Sequence, residues 1–228
     1  MSRGPWVTCA HVSTDGVRTP VRVAWAEVRA GAVPDPDEVA RLVPDQAGRA
    51  REMAPEAAAR FVRGRMLMAR LAGEVTGRPS AMITSRCERC GGNHGRPAVV
   101  DAPAVVGVSY SGGMVVAAAA PSAEITALGV DVEAGEDPDR RLADLAALFA
   151  PSRPPTLREW TLIEAAVKAD GRGMRIPPAQ VRMAGVSRAG RVGVRLPGRA
   201  RPIETLAVRG PAGHVVSLAV VSRARSAS

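Results

Sequence analysis

Between Pro55 and Gly77 the chain reads PEAAARFVRGRMLMARLAGEVTG, and no other stretch limits the fold as strongly. Proline suits the first turn of a helix, where its missing N–H has no partner to lose, and glycine suits the exit. Phe61, Met68 and Leu71 fall on one stripe, so the spacing predicts a long helix with that stripe toward a core. Much of the rest is short apolar runs broken by glycine and proline, each of strand length. They are VRVAWAEV (Val21 to Val28), VVGVSYS and MVVAAAA joined at Gly112-Gly113, EITALGVDVE ending at Glu133, and then VRMAGV, GRVGVRL, IETLAV and HVVSLAVV. Further helix is expected within Gly31 to Gln46, in RRLADLAALFA, and around Lys168. Helices and strands so mixed give an α+β class. The pattern breaks at Ala120-Pro121, which divides the chain into residues 1–120 and 121–228, with 222–228 read as a flexible tail.

With 46% apolar but only 3% aromatic residues, the interior must be built from Val, Ala, Leu and Met. A formal charge of +9 favours anionic partners, although the basic residues are spread too thinly to form an arm. No apolar run approaches the roughly 18 residues of a spanning helix. The opening MSRGPWVTCAHV lacks the apolar centre of a signal peptide, and three cysteines make no disulfide framework. A soluble cytoplasmic protein with no membrane partner is expected.

Two motifs carry chemistry. In EWTLIEAAVKADGRG, Trp160, Glu164 and Lys168 are four apart and share one helix face. Lys168 is the only lysine beside thirty arginines, the two together making 31. An arginine would serve an exposed pair equally well. Lysine offers a compact ammonium that meets a phosphate as a point charge or gives up a proton. In LGVDVE, strand alternation turns Asp131 and Glu133 the same way while Val130 and Val132 pack behind. Paired carboxylates repel unless a cation lies between them, and Mg²⁺ suits that position. A strand end running into a solvated acidic loop is the alternative.

GVDVE followed by WTLIEAAVKADGRG resembles the paired signature of 4′-phosphopantetheinyl transferases, of the larger, two-lobed, monomeric type that primes polyketide and non-ribosomal peptide synthases. The resemblance extends through Gly95-Arg96-Pro97, the SYSGG hairpin and the arginine-rich helix, and so over most of the chain. It implies two similar, pseudo-symmetric α/β lobes in a monomer. The implied reaction moves the 4′-phosphopantetheine arm of coenzyme A to a serine of an acidic apo acyl or peptidyl carrier protein, releasing 3′,5′-ADP. Asp131, Glu133 and Glu164 would then hold Mg²⁺, with Glu164 and Lys168 catalytic. Arg60, Arg96, Ser109 and Tyr110 in the first lobe would contact coenzyme A, whereas Arg63 and Arg65 read as solvated surface.

The chain departs from the family pattern twice. Ser109-Tyr110-Ser111 stands where relatives carry Ser-His-Ser, and a phenol donates a hydrogen bond without a charge. Ile163 stands where relatives have a lysine that helps at the carrier interface or the phosphates. These departures keep a catalytically silent coenzyme A binder as one alternative. A basic nucleic-acid module with a zinc knuckle is another, disfavoured by the scarcity of aromatic stacking platforms. Cys87-x₂-Cys90-x₃-His94 has the spacing of a partial zinc site, which Cys9 and His11 could complete. With the fourth ligand only guessed, the expectation is reduced thiols in a turn that presents Arg96.

Overall fold

The computed structural model describes residues 6–14, 17–32, 37, 40–41, 44–135, 143, 146, 148–149, 153–187 and 190–223. The chain is mixed α+β, as its patterning predicts, and it divides into two compact units. One unit comprises Met1–Thr126 with Ser222–Ser228, the other Ala127–Val221. The division thus falls a little after Ala120-Pro121, and the end of the chain belongs to the first unit.

The first unit contains β1 (Trp6–Thr14), β2 (Val17–Glu27), α1 (Ala47–Glu52) and α2 (Pro55–Thr76). After them come the two-residue strands β3 (Ile83–Thr84) and β4 (Ala98–Val99), then β5 (Ala104–Ser111) and β6 (Met114–Pro121). Four strands form an antiparallel sheet in the order β1-β2-β6-β5. Pro55 opens α2, and Gly77 closes it in the left-handed conformation. The helix lies along the sheet because its stripe, Phe61, Met68 and Leu71, shares a core with Val115, Ala117 and Ala119 of β6. Alanines on the strand leave room for the helix to come close. Met68 and Leu71 are fully buried, each worth about 1.5–3 kcal/mol of apolar transfer. β1 is a strand that patterning did not predict; it pairs from Trp6↔Trp25 to Thr14↔Val17 at the sheet edge.

Most of the second unit's sheet follows the sequence reading. It is ordered β7-β11-β10-β9-β8, from β7 (Ile125–Ala134), β8 (Arg182–Val186), β9 (Val192–Arg195), β10 (Ile203–Val208) and β11 (His214–Ser222). α3 (Leu157–Asp170) packs Ile163, Ala165, Ala166 and Ala169 with Val194, Ile203 and Ala219. Its first turn is fixed by a capping box. Thr156 Oγ1 accepts from the Glu159 amide at 3.2 Å, and Glu159 Oε2 accepts from the Thr156 amide at 2.7 Å.

Two expectations meet the limits of the description. The helices predicted within 31–46 and in RRLADLAALFA lie largely outside the described residues, although Phe149 is buried edge-on against Trp160 at 6.0 Å. Of the expected tail, Ser222 completes β11, and Arg223 donates to the carbonyls of Ser122 and Ala123. Residues 224–228 lie outside the described residues. Among the described residues, no helix is long and apolar enough to cross a membrane.

Candidate active site

Everything in the second unit's polar cluster depends on how closely β7 approaches α3. A Cβ on Gly129 would stand 2.0 Å from the Ala165 carbonyl oxygen and 2.7 Å from the Ala169 amide nitrogen, so only glycine fits. The next residues on that side of the strand are Asp131 and Glu133, and they meet α3 in reverse order along its length. Lys168 Nζ donates to Asp131 Oδ1 at 2.5 Å, and one face further along Trp160 Nε1 donates to Glu133 Oε1 at 3.2 Å. Glycine at the head of GVDVE therefore has a physical reason: it sets the distance at which two carboxylates reach the helix.

Both carboxylates are buried, Asp131 at 4% and Glu133 at 8% exposure, while 35% of the Lys168 side chain remains open. Glu164 stands one turn before Lys168 on the same face. Burial pushes its carboxyl above the ordinary range; Lys168 opposes the shift, and the charges of Asp131 and Glu133 add to it. Asp131, Glu133, Glu164 and Lys168 thus act on one another electrostatically, as their spacing predicts. Three carboxylates against one ammonium leave an excess of negative charge that a hard divalent cation would neutralise.

The fit to Mg²⁺ can be tested on the donors themselves. All are hard oxygens, which suits the ion. Among the described residues, however, only Cys87, Cys90 and His94 bring three ligand atoms within 4.8 Å of one another. The carboxylates therefore do not form a closed cage. They suit a cation that keeps waters and takes substrate oxygens, which is the ordinary habit of Mg²⁺.

Ile163 is core, at 4% exposure among Ile176, Val194 and Ile203, and its side chain is not displayed to a partner. Sequence reasoning passed over Asp170, whose buried carboxylate accepts from Arg172 Nε at 2.5 Å and Arg199 Nη1 at 3.0 Å. Burial alone would raise its pKa, but the bonds from Arg172 and Arg199 outweigh it and hold the group below the usual range.

In the first unit, the four residues expected to contact coenzyme A are distributed over three elements. Arg60 is half-buried on α2, Arg96 is exposed just before β4, and Ser109 and Tyr110 alternate on β5. Alternation turns Ser109 and Tyr110 to opposite faces. Tyr110 leans onto α2, where a Cβ on Gly64 would lie 2.4 Å from its hydroxyl oxygen. Although 38% of Tyr110 is exposed, its hydroxyl end is enclosed against α2; that enclosure raises the phenol's pKa, and Arg65, to which it is hydrogen-bonded, opposes the rise.

The expectation for Arg65 requires correction. It is not solvated surface: only 5% is exposed. Its Nε donates to Gln46 Oε1 at 2.9 Å, its Nη2 to Ser85 Oγ at 3.1 Å, and the guanidinium lies 4.3 Å from the Phe61 ring centroid. Position 65 is one turn from Phe61 and from Met68, so it sits inside the apolar stripe. A buried cation is retained there because its donors are met and an aromatic face covers it.

The side chains of Cys9 and His11, on β1, lie outside what is described. No protein-family model matches the chain, and comparison with curated proteins finds no match.

Proposed function

We propose that the chain is a Mg²⁺-dependent 4′-phosphopantetheinyl transferase that modifies a serine of an apo acyl or peptidyl carrier protein. The observation that carries this reading is the meeting of Asp131 and Glu133 with Glu164 and Lys168 across the Gly129 contact. The finer fold expected with it, two similar pseudo-symmetric lobes in a monomer, belongs to the same proposal; a helix on an antiparallel-rich sheet in each unit supports it.

Asp131, Glu133 and Glu164 would hold Mg²⁺, which when bound supplies neutralisation of the pyrophosphate charge. Each protein group then has one task. Glu164, whose proton affinity is raised by burial, accepts the proton of the carrier serine, directly or through water. The serine oxygen forms a bond to the β-phosphorus of coenzyme A while the bond from that phosphorus to the bridging oxygen breaks. Lys168 exchanges its contact with Asp131 for the departing phosphate oxygen and stabilises or protonates it as 3′,5′-ADP leaves. Arg60 and Arg96 provide positive charge for the 3′-phosphate, whereas Ser109, 4% exposed on the sheet face turned from α2, is not presented with them. The net charge of +9 steers an acidic carrier toward the enzyme.

Intact-mass measurement tests the reading. The protein is incubated with coenzyme A, Mg²⁺ and a panel of apo carrier domains, with EDTA, Lys168→Ala and Glu164→Ala as controls. One added phosphopantetheine, dependent on metal and lost in either variant, is expected. Coenzyme A binding with no carrier modified would overturn catalysis and leave a silent binder, a reading that the engagement of the Tyr110 hydroxyl with Arg65 would then explain.

A further inference from the structure

The loop from Cys87 to His94 is built differently from a simple turn. Cys87 Sγ, Cys90 Sγ and a ring nitrogen of His94 all lie within 4.8 Å of one another, with Cys90 Sγ 2.9 Å from His94 Nε2. Neither cysteine is in a disulfide. Tetrahedral zinc with ordinary Zn–S and Zn–N bonds separates its sulfurs by about 3.8 Å and sulfur from nitrogen by about 3.6 Å. No pair among the three donors exceeds 4.8 Å, and the Cys90–His94 pair, in hydrogen-bond contact at 2.9 Å, has only to open by about 0.7 Å to admit an ion.

The backbone explains how they come together. The Gly91 amide donates to the Cys87 carbonyl at 2.8 Å, and the Cys87 amide to the Gly92 carbonyl at 2.7 Å. Gly91 takes φ +72°, a left-handed turn directly after the second cysteine. A Cβ on Gly92 would sit 3.3 Å from His94 Cδ2 and 3.4 Å from Cys90 Sγ, so a small residue there lets the imidazole fold back over the thiol. At the base, β3 pairs with β4, and the Gly95 amide donates to the Ser85 carbonyl at 2.6 Å. The loop is held from the side too, since Arg49 Nη1 donates to the Asn93 carbonyl at 2.9 Å and the Asn93 side chain donates through Nδ2 to the Asp45 carbonyl.

What the loop lacks is an apolar anchor. Arg86, Glu88, Arg89, Cys90, Asn93 and His94 are all exposed. Hydrophobic burial therefore does little to hold the tip, whereas a metal clip closing the loop would remove much of its conformational freedom. Two thiolates and a neutral imidazole form a borderline-soft donor set of charge −2, which matches Zn²⁺ and not Mg²⁺.

We infer that Cys87, Cys90 and His94 bind one Zn²⁺, with water in the fourth position, and that the ion fixes the loop leading into Arg96. This revises the sequence expectation of reduced thiols alone, because the fold closes a donor triangle that spacing could only suggest. The clip also bears on the interior: Ser85, whose carbonyl receives Gly95, receives Arg65 through its hydroxyl. The inference is independent of the transferase reading, since metal content is measured without any turnover.

The test uses full-length, tag-free protein isolated under reducing conditions, supplied with Zn²⁺, freed of excess metal and analysed for metal by mass spectrometry. About one zinc per chain is expected for wild type, falling at least fivefold in Cys90→Ser and in His94→Ala. Co²⁺ in place of zinc should give the visible and near-ultraviolet absorption of thiolate ligation in wild type and lose it in Cys90→Ser. Circular dichroism establishes that each variant is folded. Folded wild-type protein that retains no zinc and shows no cobalt–thiolate absorption would overturn the inference. Zinc retained unchanged in Cys90→Ser and His94→Ala would overturn it equally, by locating the metal elsewhere.

Discussion

Gly129 and Ala165 meet with no room for a side chain: a Cβ on the first would be 2.0 Å from the carbonyl oxygen of the second. The obstacle is backbone, which cannot swing aside. Gly129→Ala should therefore force β7 away from α3, at about 3 kcal/mol or more. Urea unfolding measures the loss. A cost below about 0.5 kcal/mol would show that strand and helix separate freely, and the account of the motif's glycine would fail.

Lys168→Arg keeps the charge and tests the chemistry. The guanidinium is broader and gives up no proton at working pH. On the proposed transferase reading, turnover should fall about 100-fold, comparable with the loss of one donor to a developing negative charge. Near wild-type kcat in the arginine variant would mean that Lys168 supplies charge alone.

Asp170 gives a pH signature. Its pKa is lower in the folded protein than in the unfolded chain, so the stability it contributes is present above the ordinary aspartate pKa and lost as pH falls through the folded value. Asp170→Asn should cost about 1–2 kcal/mol at neutral pH, a figure kept small because Arg172 and Arg199 reach solvent and are screened. The cost should shrink toward zero in acid. Parallel stability curves from pH 7 to the acid limit would remove Asp170 from this role.

Gly64 and Tyr110 should be coupled. Gly64→Ala places a methyl 2.4 Å from the phenolic oxygen and displaces it from Arg65, costing about 1–3 kcal/mol. In a Tyr110→Phe background the closest crowding atom is gone, leaving Val108 Cγ2 at 3.0 Å and the nearest ring carbon at 3.1 Å. A double-mutant cycle should return about 0.5–2 kcal/mol of coupling. Simple additivity would place Tyr110 elsewhere in solution.

The long helix was legible from its ends and its stripe, because Pro55 and Gly77 act locally and need no partner. Strands carrying alternating Val and Ala were legible for the same reason. β1 was not, since WVTCAHVST mixes polar and apolar positions and is held by its pairing with β2. At Arg65 an arginine-rich composition masks a positional signal, since the residue falls inside the stripe of Phe61 and Met68 and is buried with it. Ile163 stands where the resembled family carries a lysine, and no local pattern told that its apolar side chain packs inward. Asp131, Glu133, Glu164 and Lys168 were legible as residues, but the contact that joins them depends on Gly129, whose missing atom no pattern weighs. Cys87, Cys90 and His94 were legible as half a motif; their convergence required the fold.

The solitary lysine has one more consequence. Apart from the amino terminus, the protein offers amine-reactive reagents a single side chain, and that side chain is the one paired with Asp131. Any acyl mark beyond the terminus has one address. A second mass step on the intact chain, beyond the one the terminus takes, then serves as a gauge of whether the ammonium is engaged or released, with no digestion.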